Sequence, residues 1–200
     1  MTELLLHCLI IAIIAYLVGS IATGYIVVKL FKNQDIRTIG SGSTGATNVK
    51  RVMGKKWFFI VLLLDAVKGM TPVIIAKLLY PDQYGIVAVI GAIFVILGHS
   101  KSIFLGFTGG KSVASGVGTI IALNPLAGIV IAIIWGTITY ISKYVSLGSI
   151  IALLLSPFIM WLFKAPIAYI IYCLIGAIYI TYLHKENIKR LMKGEESKVR

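Results

Sequence analysis

The sequence predicts an all-α integral membrane protein with seven transmembrane helices. Of its 200 residues, 58% are hydrophobic and 13% charged, which leaves too little polar surface to coat a soluble domain of that length. The apolar residues fall in seven runs: Leu4–Leu30, Trp57–Leu79, Tyr84–Leu97, Val113–Leu123, Leu126–Ile141, Leu147–Phe163 and Ile167–Leu183. A helical span needs about 20 such residues. The cations, finally, collect on alternate connections. Lys29, Lys32, Arg37, Lys50, Arg51, Lys55 and Lys56 follow or edge the first run. Lys101 and Lys111 follow the third, Lys143 the fifth, and the tail after the seventh carries six more. The opposite connections hold only Lys164, and Lys68 and Lys77 lie within the second run. Positive charge stays on the cytoplasmic side, so the expected arrangement puts the N-terminus outside and the C-terminus in the cytoplasm. The net charge of +12 is thereby explained without nucleic acid.

Each run has its own boundaries. The first opens on Met1, Thr2 and Glu3 with no basic stretch, and it is too long for a signal-peptide core, so a retained span is expected. The second carries Asp65 and Lys68, three residues apart on one helix face, where ionisable groups are costly and pair or serve a function. They read either as an internal ion pair or as a dock for the loop before them. Pro81 and Asp82 end that run, Asn124-Pro125 separates the fourth from the fifth, and Lys164 to Pro166 separates the sixth from the seventh. The third to fifth runs are short; Val113–Leu123 would reach only about 16 Å as a helix. Cys8 and Cys173 lie inside apolar runs and read as small hydrophobes. Residues 1–200 are expected to form one membrane-embedded domain, with 184–200 a basic cytoplasmic tail.

Three polar stretches share the cationic side. The first is Gly40-Ser41-Gly42-Ser43-Thr44-Gly45-Ala46-Thr47-Asn48, closed by Arg51. Its glycines would let backbone N–H groups converge on an anion, with hydroxyls and an arginine completing a phosphate site. A flexible polar loop carrying positive-inside charge is the plainer alternative. The second runs from Leu97 to Gly116 and includes His99 and Gly109-Gly110-Lys111-Ser112. It is not a Walker A motif, which needs glycine six residues before its lysine; position 105 is Leu. A phosphate cradle with Lys111 as a point charge and a glycine-softened loop both remain open. The third, Tyr182 to Glu196, reads as an amphipathic continuation of the last helix, with His184 and Asn187 on one face. Lys143 and Ser146 add a cation and a hydroxyl at a turn on the same side. Paired carboxylates for acid–base work, a metal-ligand cluster and a nucleophile–base–acid set are all missing from the pattern, so no metal and no cofactor is expected. Cations, glycines and small donors beside a bilayer suit a phosphorylated substrate with an apolar tail.

Five ordered motifs carry a specific resemblance. They are GSG-x-x-GATN-x-x-R at Gly40–Arg51, LLD-x-x-KG at Leu63–Gly69, and GH followed by FLGF-x-GGK at Gly98–Lys111. KYVSL-x-SI at Lys143–Ile150 and H-x-EN-I-x-RL-x-x-G at His184–Gly194 complete the set. Together they resemble the bacterial acyl-phosphate-dependent glycerol-3-phosphate acyltransferases over essentially the whole chain. The resemblance implies a multi-pass protein of the bacterial cytoplasmic membrane with its active site at the cytoplasmic face. It implies acyl phosphate and glycerol 3-phosphate as substrates, membrane lipid as surroundings, and a functional link to the enzyme that makes acyl phosphate. Carried over by position, Ser41, Arg51 and Lys111 are the catalytic candidates. Gly42, Ser43, Gly45, Thr47, Asn48, His99, Gly109, Gly110, Lys143, Ser146, His184 and Asn187 are the substrate-binding ones. The chain departs from the family pattern at Ser43 (usually Asn), Thr108 (Lys), Ser112 (Gly) and Leu183 (Arg). A transporter or binding protein for a phosphorylated metabolite is the competing class. It would show a midplane site between repeated broken helices, and neither a repeat nor a midplane cluster is visible in the sequence.

Overall fold

The computed structural model describes residues 2–81 and 85–198. Asp82, Tyr84 and Arg200, used above as a break, a first residue and a tail cation, lie outside the described residues. In chain order the α-helices are α1 (Thr2–Ser20), α2 (Thr23–Lys32), α3 (Ala46–Met53), α4 (Lys55–Leu79), α5 (Ile86–Ser100), α6 (Val113–Leu123), α7 (Pro125–Ser142), α8 (Val145–Leu162), α9 (Ile167–Leu183) and α10 (Lys185–Met192). Short 3₁₀ turns cover Ile36–Thr38 and Ile103–Leu105. Among the described residues, strand-like pairing is limited to one isolated bridge between Ser102 and Thr108.

Within the described residues, each of the seven apolar runs is mostly helical. By length and composition four stretches can cross a bilayer: Thr2–Lys32, α4, α7 and α8, with a fifth if α9 and α10 count as one bent span. The chain divides into two compact units, Met1–Thr119 and Ile120–Arg200, and α6 runs across the division.

In the first unit α1 packs along α5, and α4 packs on α3 and α5. The packing is inside-out relative to a soluble bundle. On α1 the residues turned into the protein are Ile11, Ala12, Ala15 and Gly19, while Leu5, Leu6, Leu9 and Ile13 are 53–63% exposed. Lipid solvates the large side chains, and small ones let backbones approach. The contact is reciprocal: a Cβ at Gly19 would strike the Val95 carbonyl of α5, and one at Gly98 would strike the Tyr16 carbonyl of α1. Gly69 of α4 against Ser115, and Gly118 of α6 against Ala66, repeat the arrangement.

The first run, expected as one span, is broken at Ile21–Ala22. A break in an apolar helix frees backbone carbonyls that must find donors, and here side chains supply them. Ser102 Oγ donates to the Ser20 carbonyl at 2.6 Å, and Lys68 Nζ to the Ile21 carbonyl at 2.7 Å. In the second unit Asn124 caps α7 by accepting from the Ala127 N–H at 3.1 Å, with Pro125 as first helical residue. Lys164, at a φ of 53°, and Pro166 separate α8 from α9. The tail does not continue α9 as expected: the helix breaks at His184 and α10 bends away by 63°.

Candidate active site

The Gly40–Arg51 stretch is organised by Asn48. Its side chain is 1% exposed and spent inside the loop. Nδ2 donates to the carbonyls of Ile39 (2.9 Å), Ser43 (3.0 Å) and Ile36 (3.3 Å), and Oδ1 accepts from the Ser41 N–H (3.1 Å). Gly40 adopts a φ of +61°, and a Cβ there would run into Asn48 Oδ1. Asn48, expected to bind substrate, is therefore the template on which the loop folds. Beneath it Val27, Val28, Ile36, Ala46, Val49 and Val61 form a buried apolar cluster. Thr44 is buried and its carbonyl lies where a Gly24 side chain would stand, so the loop docks on α2.

The expected convergence of loop amides on an anion is only partly available. Ser41 N–H is taken by Asn48, Gly42 N–H donates to the Ile39 carbonyl (3.1 Å), and Gly45 N–H donates to Ser43 Oγ (3.3 Å). Gly42 and Gly45 thus shape the loop through their conformation. Donors the loop leaves open include the head of α3, where the first amides of a helix lack intrahelical acceptors, and two exposed side chains, Ser41 and Arg51. The Arg51 stem passes across Gly40, its Cδ 3.5 Å from where a Cβ would sit. Arg37, the other arginine of this connection, is engaged bidentately by Asp35, with Nη2 to Oδ2 at 2.7 Å and Nε to Oδ1 at 3.0 Å. Thr47 is half-buried on the first turn of α3.

The Asp65–Lys68 pair is an ion pair of 2.9 Å. It does not dock the Gly40–Arg51 loop. Lys68 reaches back to the α1–α2 break, and Thr23 Oγ1 at the start of α2 donates to Asp65 Oδ1 at 2.9 Å. His99, expected to face a ligand, is 6% exposed and packed between Asp65 and Gly110. Gly109-Gly110-Lys111 follows it closely, with the Gly110 N–H donating to the His99 carbonyl at 3.0 Å. Ser112 takes a φ of +57°, which accounts for the glycine usual in the family. Its hydroxyl offsets the strain by donating to the Ile96 carbonyl at 2.7 Å. Thr108, where a lysine is usual, spends its hydroxyl on the Leu105 carbonyl at 2.8 Å.

In the second unit Ser146, Asn187 and Arg190 converge on one carboxylate that sequence reasoning passed over. Ser146 Oγ donates to Glu196 Oε1 at 2.8 Å, Asn187 Nδ2 to the same oxygen at 2.6 Å, and Arg190 Nε to Oε2 at 2.7 Å. Burial works against ionisation of Glu196, but the bonds from Asn187, Arg190 and Ser146 outweigh it and hold the carboxyl below its ordinary range. The available signal was an acid six residues after an arginine across Gly194, whose φ of +71° folds the tail back. His184 donates from Nδ1 to the Ile180 carbonyl at 2.8 Å. A carbonyl only accepts, so Nδ1 carries a proton. Lys143 caps the C-terminus of α7 and lays its ammonium 4.2 Å from the Tyr140 ring centre, and it is not among the Glu196 donors.

Residues 9–194 match the profile of the family described as glycerol-3-phosphate acyltransferase. The chain belongs to that family. Curated relatives of the same description agree along most of their length. One from Rippkaea orientalis is 44% identical over 94% of this chain and 90% of its own. Another from Trichormus variabilis is 40% identical over 96% and 92%, and one from Acholeplasma laidlawii is 40% identical over 96% and 93%. Two crystal structures of PlsY (YgiH), an integral membrane glycerol 3-phosphate acyltransferase, share the fold. The glycerol 3-phosphate form superposes with a TM-score of 0.91 at 36% identity, covering 96% of each chain. The lysophosphatidic acid form gives 0.88 at 34%, covering 96% and 95%. With these relatives the fold is that of a multi-pass membrane acyltransferase, and the transporter reading is set aside.

Proposed function

We propose that this protein transfers a fatty acyl group from acyl phosphate to the 1-hydroxyl of glycerol 3-phosphate. The observation that carries the reading is the match of the whole chain to relatives whose crystal structures hold the acceptor in one case and the acylated product in the other. The residue chemistry supports it. Acyl phosphate is a mixed anhydride, so its carbonyl is already activated, and catalysis rests on positioning and charge stabilisation. The glycerol oxygen forms the new ester bond to the acyl carbon as the bond to phosphate breaks. The hydroxyl proton passes to the departing phosphate, so no protein carboxylate is needed as base. Ser41, Thr47 and the head of α3 hold the donor phosphate, and Arg51 and Lys111 neutralise its charge. Ser146, His184 and Asn187 orient glycerol 3-phosphate.

The cation distribution supports seven crossings of a bacterial cytoplasmic membrane, with N-terminus outside and the reaction on the inner face. The test is purified protein in lipid given acyl phosphate and glycerol 3-phosphate. Lysophosphatidic acid and phosphate should form in equal amounts, with none from acyl thioesters. Folded protein that makes product only from a thioester would overturn the donor assignment.

A further inference from the structure

The buried polar set between α4, α5 and α6 has no part in the transfer as drawn above, yet its geometry is closely specified. Lys68 Nζ and Thr23 Oγ1 each lie 2.9 Å from Asp65 Oδ1, so the carboxylate is fixed from two elements. His99 Nδ1 stands 3.7 Å from that oxygen and 3.1 Å from Ser115 Oγ on α6. On its other side the imidazole fills the space where a Gly110 side chain would be, with Nε2 the atom such a Cβ would strike. The His99 carbonyl meanwhile accepts the Gly110 N–H at 3.0 Å. One residue therefore grips Gly110 by ring and by main chain, and Ser115 and Asp65 brace that residue from behind. A general base must reach the proton it takes; His99, buried behind Gly110, does not present itself to a ligand.

We infer that His99 is a positioning residue for Lys111. Braced by Ser115 and Asp65, it holds the Gly109-Gly110 turn in the one conformation that aims the next residue's ammonium at phosphate. This rests on the role given to Lys111 above. Only glycine is tolerated at 110 because the ring occupies the Cβ position, and the ring is held there by its hydrogen bond to Ser115, with the Asp65 carboxylate packed beside it.

The test uses the full chain in lipid nanodiscs. Amide hydrogen exchange of peptides spanning residues 106–113 is compared for wild type, His99→Ala and the milder Ser115→Ala. Exchange should quicken about tenfold in H99A and less in S115A, while peptides from the Gly40–Arg51 loop stay unchanged. In turnover, H99A should lower kcat/KM for acyl phosphate about tenfold, and H99A/K111A should be no slower than K111A alone, because His99 acts through Lys111. Unchanged exchange in both single variants, or losses that multiply in the double variant, would overturn the inference. Full turnover in K111A would instead remove Lys111 from the reaction. That failure is told apart because the exchange measurement needs no substrate.

Discussion

Asn48→Ala separates a side chain that builds the loop from one that binds the ligand. Four hydrogen bonds end on this amide. Nδ2 has two protons for its three carbonyls, so at about 1 kcal/mol net per full bond their joint loss approaches about 3 kcal/mol if nothing relaxes. Ser41 is exposed and Ser43 half-buried, so water recovers part of this and the expected loss is about 2–3 kcal/mol. The loss is local, because the amide ties Ile36, Ile39, Ser41 and Ser43 to α3. Substrate-free protein should therefore show faster amide exchange across residues 36–45, and the KM for acyl phosphate should rise more than tenfold. Asn48→Asp is the sharper variant. It keeps the acceptor for Ser41 but turns an oxygen toward the Ile36, Ile39 and Ser43 carbonyls, acceptor against acceptor, so it should loosen the loop at least as much as alanine despite its shape. If the loop in substrate-free Asn48→Ala exchanges like wild type while KM rises, Asn48 contacts ligand and the template account is wrong.

Glu196→Gln should remove a pH dependence of stability. The folded-state carboxyl titrates below its unfolded value, so its contribution is present above the ordinary glutamate range and lost as pH falls through the depressed value. Thermal midpoints at pH 7 and at pH 4 should converge in the variant, with a loss at neutral pH of about 1.5–3 kcal/mol; an unchanged gap would assign the acid sensitivity elsewhere. Arg51→Ala should lower phosphate release about a hundredfold with no shift in thermal midpoint, since the side chain is exposed; normal turnover would take Arg51 out of the reaction. Ser112→Gly sets relief of a left-handed backbone, about 1–3 kcal/mol, against loss of a hydroxyl bond to Ile96 of about 1 kcal/mol. The glycine variant should be as stable as wild type or slightly more so, and a clear drop in thermal midpoint would show that the bond outweighs the strain.

Features read correctly from sequence were those with local causes. Asn124-Pro125 stops one helix and starts another because an asparagine cap and a proline at the first helical position act within a single turn. Lys164 to Pro166 works the same way. The break at Ile21–Ala22 was illegible because nothing in that segment requires it: the carbonyls it frees are satisfied by Lys68, 47 residues on, and Ser102, 82 residues on. Glu196 was passed over for a similar reason, since Ser146 lies 50 residues away. Within the Gly40–Arg51 stretch, residue types foretold a polar loop beside a membrane. They did not reveal which polar atoms face inward, because that depends on Asn48 reaching carbonyls on both sides of itself.

That distinction bears on how the chemistry is divided in the first unit. Among its buried polar groups, Asn48, Asp65, Lys68 and His99 have partners within the protein and so set shape. Ser41 and Arg51 are exposed and remain for a ligand. A protein base would have to be both buried enough to hold a raised pKa and close enough to take a proton, and among the described residues of this unit no carboxylate meets both conditions. Asp65 is buried but bound by Lys68 and Thr23, and Asp35 is occupied by Arg37. A donor that carries its own leaving-group oxygen removes that requirement. The groups left to the protein are then those that need only hold charge and position, and substitution at Asp35 should accordingly leave the pH profile of turnover unmoved.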